Sequence, residues 1–374
     1  MKELMQIFVP SMILVFFSEY NSKYKAGQHG EKQYIRKEKL FYIVMAISMA
    51  IYVGLRTWYN DTVTYMGSYQ MLLKTNSIFE GIEWKLGSSP GFMLVNNILK
   101  QLDFSVQSFI MFYALITVGI YLWFIRKYTD NLWMSVFFFY TMGGYTFTMA
   151  AIKQCVAVAF CLVAVDRFIQ KKRWTFILWV LLASTFHPYS LMYIIIPLLT
   201  FRPWTHKTFL MLGAFGVAGI SLQRMLGVVV DITSMLGEEY DLNSFSGDGV
   251  NIFRLLVIWA PIVLSLLARK SISRSDNCEN NLIMNLSMLN AEIMFIALFG
   301  TANYFARLAN YFLIFQAISL PWLFRYFNEK SKKILIMGTV ICYLLYFCYA
   351  NIINQPFDAQ FDKIGLLDYL KTLF

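Results

Sequence analysis

Few side chains in this sequence can do chemistry, and they stand where an apolar chain should not put them. Four cations, Arg56, Lys153, Arg254 and Arg307, sit at the edges of apolar runs, in "YVGLRTWYND", "MAAIKQCVAV", "VNIFRLLVIW" and "NYFARLANYF". Gln154 follows Lys153, and Asp61 follows Arg56 within the same stretch. Glu83 lies in "EGIEWKLGSSPGF", and His187 precedes Pro188 inside the apolar run "STFHPYSLMY". Cations of this kind bind phosphate, arginine through paired hydrogen bonds to its oxygens. Histidine and carboxylates move protons. For each cation alone the plain alternative is a long side chain snorkelling to the membrane surface. For His187 it is a satisfied core residue, and for Glu83 a solvated loop acid. Ionisable groups inside apolar segments otherwise mark function, and the Pro188 break frees backbone groups that need a cavity or neighbouring protein.

The elements that must position these residues follow from composition. Of 374 residues, 58% are hydrophobic and only 14% charged, with a mean hydropathy of +0.54. A soluble domain carries about 25% charged residues, so the chain reads as an all-α polytopic membrane protein. The net charge of +10 is scattered in short clusters between apolar runs. No lone basic domain could track a phosphate backbone, so no nucleic-acid partner is expected. Cys155, Cys161, Cys342 and Cys348 lie in apolar runs and Cys278 in a basic loop. That distribution implies neither a disulfide framework nor a metal site, and no metal or cofactor is expected.

A helix needs about 20 apolar residues to cross a bilayer. Spans are expected near 4–20, 40–55, 106–125, 132–148, 150–169, 208–226, 251–268, 282–299, 304–324 and 334–353. The run 175–200 breaks at His187 into two, giving about twelve in one transmembrane domain over 1–374. The segment 89–101 is short and amphipathic, an interfacial or re-entrant helix in an outer loop spanning 56–105. Loops 21–39, 126–131, 170–174, 201–207, 269–281 and 325–333 hold 20 of the 32 Lys and Arg, whereas 227–250 holds none and carries five acids. The positive-inside rule then puts the basic loops in the cytoplasm and both termini outside. On that topology Arg56, Lys153, Arg254 and Arg307 converge at the outer face.

These motifs resemble the EpsG family: "RTWYNDTVTY", Glu83 before "GSSPGF", "IKQCVAVAF", "STFHPYSLMY" and "FARLANYF". The resemblance spans roughly residues 40 to 350. Where the family often has Arg-Gln this chain has Lys153-Gln154, which keeps the charge and loses the fork. The family comprises membrane polymerases and glycosyltransferases of exopolysaccharide and capsule assembly, similar in plan to Wzy O-antigen polymerases. The resemblance implies an undecaprenyl-diphosphate-linked oligosaccharide substrate at the outer face of the cytoplasmic membrane. Partners would be membrane lipid, a chain-length regulator and other polysaccharide-assembly proteins. Arg56, Lys153, Gln154, Arg254 and Arg307 would hold the diphosphate. His187 is the first choice as base, then Asp61, then Glu83. The competing classes are a lipid-linked oligosaccharide flippase or other transporter, and a membrane O-acyltransferase acting on surface glycans.

Overall fold

The computed structural model describes residues 1–26, 32–237, 249–274, 277–299 and 302–361. Within them the chain is helical almost throughout, as expected where backbone groups in hydrocarbon must pair within their own segment. The first half holds α1 (Lys2–Tyr20), α2 (Leu40–Gly54), α3 (Thr62–Met71), α4 (Pro90–Gln101), α5 (Val106–Tyr128), α6 (Leu132–Thr141), α7 (Gly144–Ala150), α8 (Ile152–Ile169) and α9 (Arg173–Ser184). After a 3₁₀ segment, Pro188–Leu199, come α10 (His206–Ile220), α11 (Leu222–Met235), α12 (Ile252–Leu267), α13 (Arg269–Ile272), α14 (Cys278–Ile296), α15 (Ala302–Ala309), α16 (Leu313–Leu323) and α17 (Glu329–Cys348). Two small antiparallel sheets were not expected. β1 (Lys23–Ala26) pairs with β2 (Lys32–Arg36), and β3 (Arg56–Trp58) pairs with β4 (Gln360–Phe361).

Among the described residues, three helical stretches are long and apolar enough to cross a bilayer: Lys2–Tyr20, Val106–Tyr128 and Glu329–Asn354. Twelve full-length spans do not follow from the remaining lengths. The reason is that several expected spans are broken. The run 132–148 stops at Met142 and restarts after Gly143, whose φ of +85° only glycine adopts without strain. Ala151 leaves helical geometry between α7 and α8, close to the boundary expected between 148 and 150. The run 304–324 stops at Ala309 and restarts at Leu313. The run 175–200 breaks at His187, as read from the sequence. Helix α16, with 11 residues, is about 17 Å long, short of the roughly 30 Å hydrocarbon core. Helix α4, with 12 residues, is also too short to span, and it buries Phe92, Asn96, Asn97 and Leu99.

The bundle has two chemically distinct ends. At one, the loops 21–39, 126–131 and 325–333 meet. The Tyr34 hydroxyl donates to Glu19 at 2.7 Å, and Arg126 donates to the Glu38 carbonyl at 2.6 Å. Arg325 pairs with Asp130 at 3.2 Å. Asp166 takes Lys127 and the Tyr128 hydroxyl, and Arg167 pairs more loosely with it at 3.9 Å. Asn131 and Asn328 cap α6 and α17 here, each accepting from a first-turn N–H. Helix α5 ends here on Arg126 and Lys127, which suit the negative end of its dipole. Its other end begins near Gly54, where Gln107 reaches across to α2, and there the broken helices gather.

Candidate functional site

The segment after α2 is built by side chains that satisfy its freed backbone. Arg56 is 1% exposed. Its guanidinium donates to the Val53 carbonyl at 2.6 Å and to Thr62 Oγ1 at 3.0 Å. The Tyr145 hydroxyl donates to the Met49 carbonyl, and Gln107 donates to the carbonyls of Gly54 and Arg56. A cation at a helix C-terminus meets both the unpaired carbonyls and the dipole. Arg56 therefore faces the scaffold, where the sequence had suggested an anion contact. The turn it anchors passes through Asn60, at φ +43°, a value asparagine tolerates better than most residues. Asp61 follows at the start of α3, and its carboxylate makes no capping hydrogen bond.

The break between α15 and α16 is built the same way. Gln154, 3% exposed at the start of α8, donates to the Arg307 carbonyl at 2.6 Å. Asn290 from α14 donates to the Ala309 carbonyl, and the Tyr193 hydroxyl donates to the Tyr311 carbonyl at 2.6 Å. Three buried neutral side chains thus satisfy the freed carbonyls. His187 supports the same break from the side, its Nδ1 lying 2.9 Å from the Tyr311 hydroxyl. It occupies the turn outside both flanking segments. Burial, with help from the charges on Lys153 and Arg307, lowers its pKa to about 4, so it is neutral near pH 7.

These junctions surround one cavity of about 950 Å³. Asp61, Arg254 and Arg307 line it, with Asn310 beside the α15 break and Asp358 from the C-terminal segment. Its wall includes three helix breaks: Met142 and Gly143, Ala150 and Ala151, and Asn310. Non-helical backbone at membrane depth is tolerated where it lines a wet cavity. Arg254 is half-buried on the first turn of α12, and Arg307 is exposed on the last turn of α15. Among the described residues neither forms an ion pair, whereas Arg325 and Lys127 at the opposite end both do.

The other sequence-derived candidates fall elsewhere. Lys153 lines a second, smaller cavity that also includes Asp61. Its ammonium lies 5.3 Å from the Phe92 ring centroid. Gln154 and His187 touch backbone and Tyr311 as described. Glu83 is exposed in the loop before α4 and lines neither cavity. Of the acidic stretch 227–250, the residues 238–248 lie outside the described residues. Sequence reasoning missed Asn310 and Asp358. Asp358 had one signal: "FDAQF" alternates, burying Phe357 and Ala359 and exposing Asp358, the period of a strand. β4 follows directly and pairs with β3, which brings the aspartate to the cavity.

A model of the EpsG family matches residues 39–369 of the chain. No curated protein and no solved structure matches it.

Proposed function

The chain belongs to the EpsG family, and from that premise we propose that it is a membrane glycosyltransferase that polymerises polysaccharide. The substrate is an undecaprenyl-diphosphate-linked oligosaccharide, used at the outer face of the cytoplasmic membrane. The observation that carries this reading is the pair Arg254 and Arg307. They come from separate helices, line one cavity with Asp61, and are unpaired among the described residues. Two uncommitted guanidiniums in a cavity fit an anion with several oxygens, and a diphosphate is such an anion. The cavity lies away from the basic loops, which favours the outer side on the positive-inside rule.

The acceptor hydroxyl oxygen attacks the anomeric carbon of the donor sugar, forming a new C–O bond. The C–O bond to the lipid diphosphate breaks, and its electron pair leaves with the diphosphate. Arg254 and Arg307 stabilise the charge that develops there. The acceptor proton passes to a base. His187, bonded to Tyr311, lines neither cavity. Asp61 lines both and is assigned the proton; Gln154 and His187 support the break after Arg307, and Arg56 holds the turn that carries Asp61.

The test uses purified protein in lipid nanodiscs, supplied with lipid-linked repeat units extracted from cells. The parent lengthens the glycan and releases lipid diphosphate. Arg254→Ala and Arg307→Ala each lose about tenfold or more in kcat/KM, the scale of one charge-assisted contact. A parent that moves the lipid-linked unit across a vesicle without lengthening it is a transporter, and one that transfers acyl groups is an acyltransferase. Either result overturns the proposal.

A further inference from the structure

The second cavity is a groove between α3 and α4, about 360 Å³ in volume. Its α3 wall is Asp61, Thr64, Tyr65, Ser68, Tyr69 and Leu72. That spacing is a single helical stripe, so one face of α3 presents a carboxylate, two hydroxyls and the Tyr65 phenol, while buried Tyr69 gives its hydroxyl to the Phe104 carbonyl. Thr64 and Ser68 are exposed, one turn apart. Opposite them stand Phe92 and Asn96 of α4. The Tyr65 and Phe92 rings meet edge to face at 5.8 Å, and Asn96 is held by the Tyr113 hydroxyl at 2.8 Å. Lys153, over the Phe92 ring, closes the groove.

The two cavities differ in charge and size and share one residue. Both carry hydroxyls and aromatic rings, but the larger adds two arginines and the smaller one lysine. Asp61 lines both. Hydroxyls beside aromatic faces are the chemistry that holds a sugar, whose ring has polar edges and apolar C–H faces. The volume falls near the low end of the range for ligand pockets, which suits a short sugar segment rather than a long chain. A carboxylate common to both is placed to take a proton from a group in one cavity while that group attacks a carbon in the other.

We infer that the groove between α3 and α4 is the acceptor subsite, binding the terminal sugar of the acceptor unit and directing its hydroxyl past Asp61. This rests on the polymerase reading and adds a division of labour to it. The donor lies in the arginine cavity and the acceptor in the hydroxyl-lined groove. Two separate subsites explain how one enzyme handles two chemically alike substrates: only the donor needs its diphosphate held.

The experiment uses an acceptor that cannot donate. Mild acid releases the repeat-unit oligosaccharide from its lipid, leaving a soluble sugar with no diphosphate. With lipid-linked donor, the enzyme transfers one unit to it and yields a soluble two-unit glycan. Ser68→Phe and Thr64→Phe fill the groove, and both sites are exposed, so folding is preserved. Each variant raises the KM for the soluble acceptor about tenfold or more, a loss of binding rather than of chemistry. Farnesyl diphosphate, a probe of the arginine cavity, binds both variants as it binds the parent. Arg307→Ala gives the reverse pattern. Unchanged acceptor KM in both phenylalanine variants, with an active parent, overturns the inference and leaves the polymerase reading standing. Weakened farnesyl diphosphate binding in both also overturns it. A parent that makes no longer glycan at all sinks the polymerase reading instead.

Discussion

Arg56→Met separates a scaffold cation from a ligand-binding one. The guanidinium is 1% exposed and makes two hydrogen bonds, to the Val53 carbonyl and to Thr62 Oγ1. Methionine fills much of the volume and donates nothing. Thr62 keeps its own bond to the Tyr59 carbonyl at 2.6 Å, so that hydroxyl is not orphaned. The Val53 carbonyl loses its charged partner, and an unmet buried acceptor costs about 1–3 kcal/mol. Loss of a charge-assisted bond adds a similar amount, while the buried guanidinium no longer has to be desolvated, which offsets part of it. The net expectation is a destabilisation of about 2 kcal/mol. The assay is unfolding of purified protein in mixed micelles by increasing SDS fraction, followed by tryptophan fluorescence. Farnesyl diphosphate binding is measured on the folded fraction. The midpoint falls, and the folded fraction binds the probe within about twofold of the parent. An unchanged midpoint with lost binding would refute the argument, because Arg56 would then be touching the anion.

Two further substitutions test the support of the site. Gln154→Leu keeps the size and removes the donor to the Arg307 carbonyl. It should destabilise by about 1–2 kcal/mol and lower kcat more than it raises acceptor KM; an unchanged kcat with normal stability contradicts the positioning role. His187→Gln tests pH dependence. The folded pKa of His187 is depressed to about 4 from 6.5, so the stability of the neutral form is complete above pH 6.5. It is lost as pH falls from 6.5 towards 4, where the unfolded chain binds the proton first, by up to about 3 kcal/mol. In the variant that acid-side loss should shrink, read as a flatter plot of unfolding midpoint against pH; an identical slope rules out His187 as its source.

How much of this was legible in the sequence depends on the distance over which each cause acts. Charge and hydropathy are local and additive, so the helical membrane class and the gathering of basic loops could be read directly. The break at His187 could be read too, because proline disfavours helix locally. The breaks at Gly143 and Asn310 could not be read from hydropathy. The α15 end depends on distant partners, Gln154 and Asn290, that satisfy its freed carbonyls. Hydropathy saw continuous apolar runs there and therefore counted full spans. The expectation that Arg56 meets an anion at the outer face fails for a related reason. Sequence gives its depth along the chain, not which way the side chain turns, and the Val53 carbonyl turns it inward. The stripe of Asp61, Thr64, Tyr65, Ser68 and Tyr69 was readable as a helical face, but nothing local shows that α4 lies against it.

The division of polar labour explains why two arginines remain uncommitted. Every helix break near the cavity exposes carbonyls that a cation would satisfy well, and Arg56 does so at the end of α2. At the α15 end the same task falls to Gln154, Asn290 and Tyr193, all neutral. Had lysines or arginines been used there, their charge would repel Arg307 and compete for the same anion. Acidic partners would neutralise Arg307, as Asp130 neutralises Arg325 at the opposite end. Neutral amides and phenols hold the backbone without spending or screening charge. Asp61 and Asp358 also line the cavity, yet neither pairs with Arg254 or Arg307 among the described residues, so both guanidiniums stay open to an entering diphosphate.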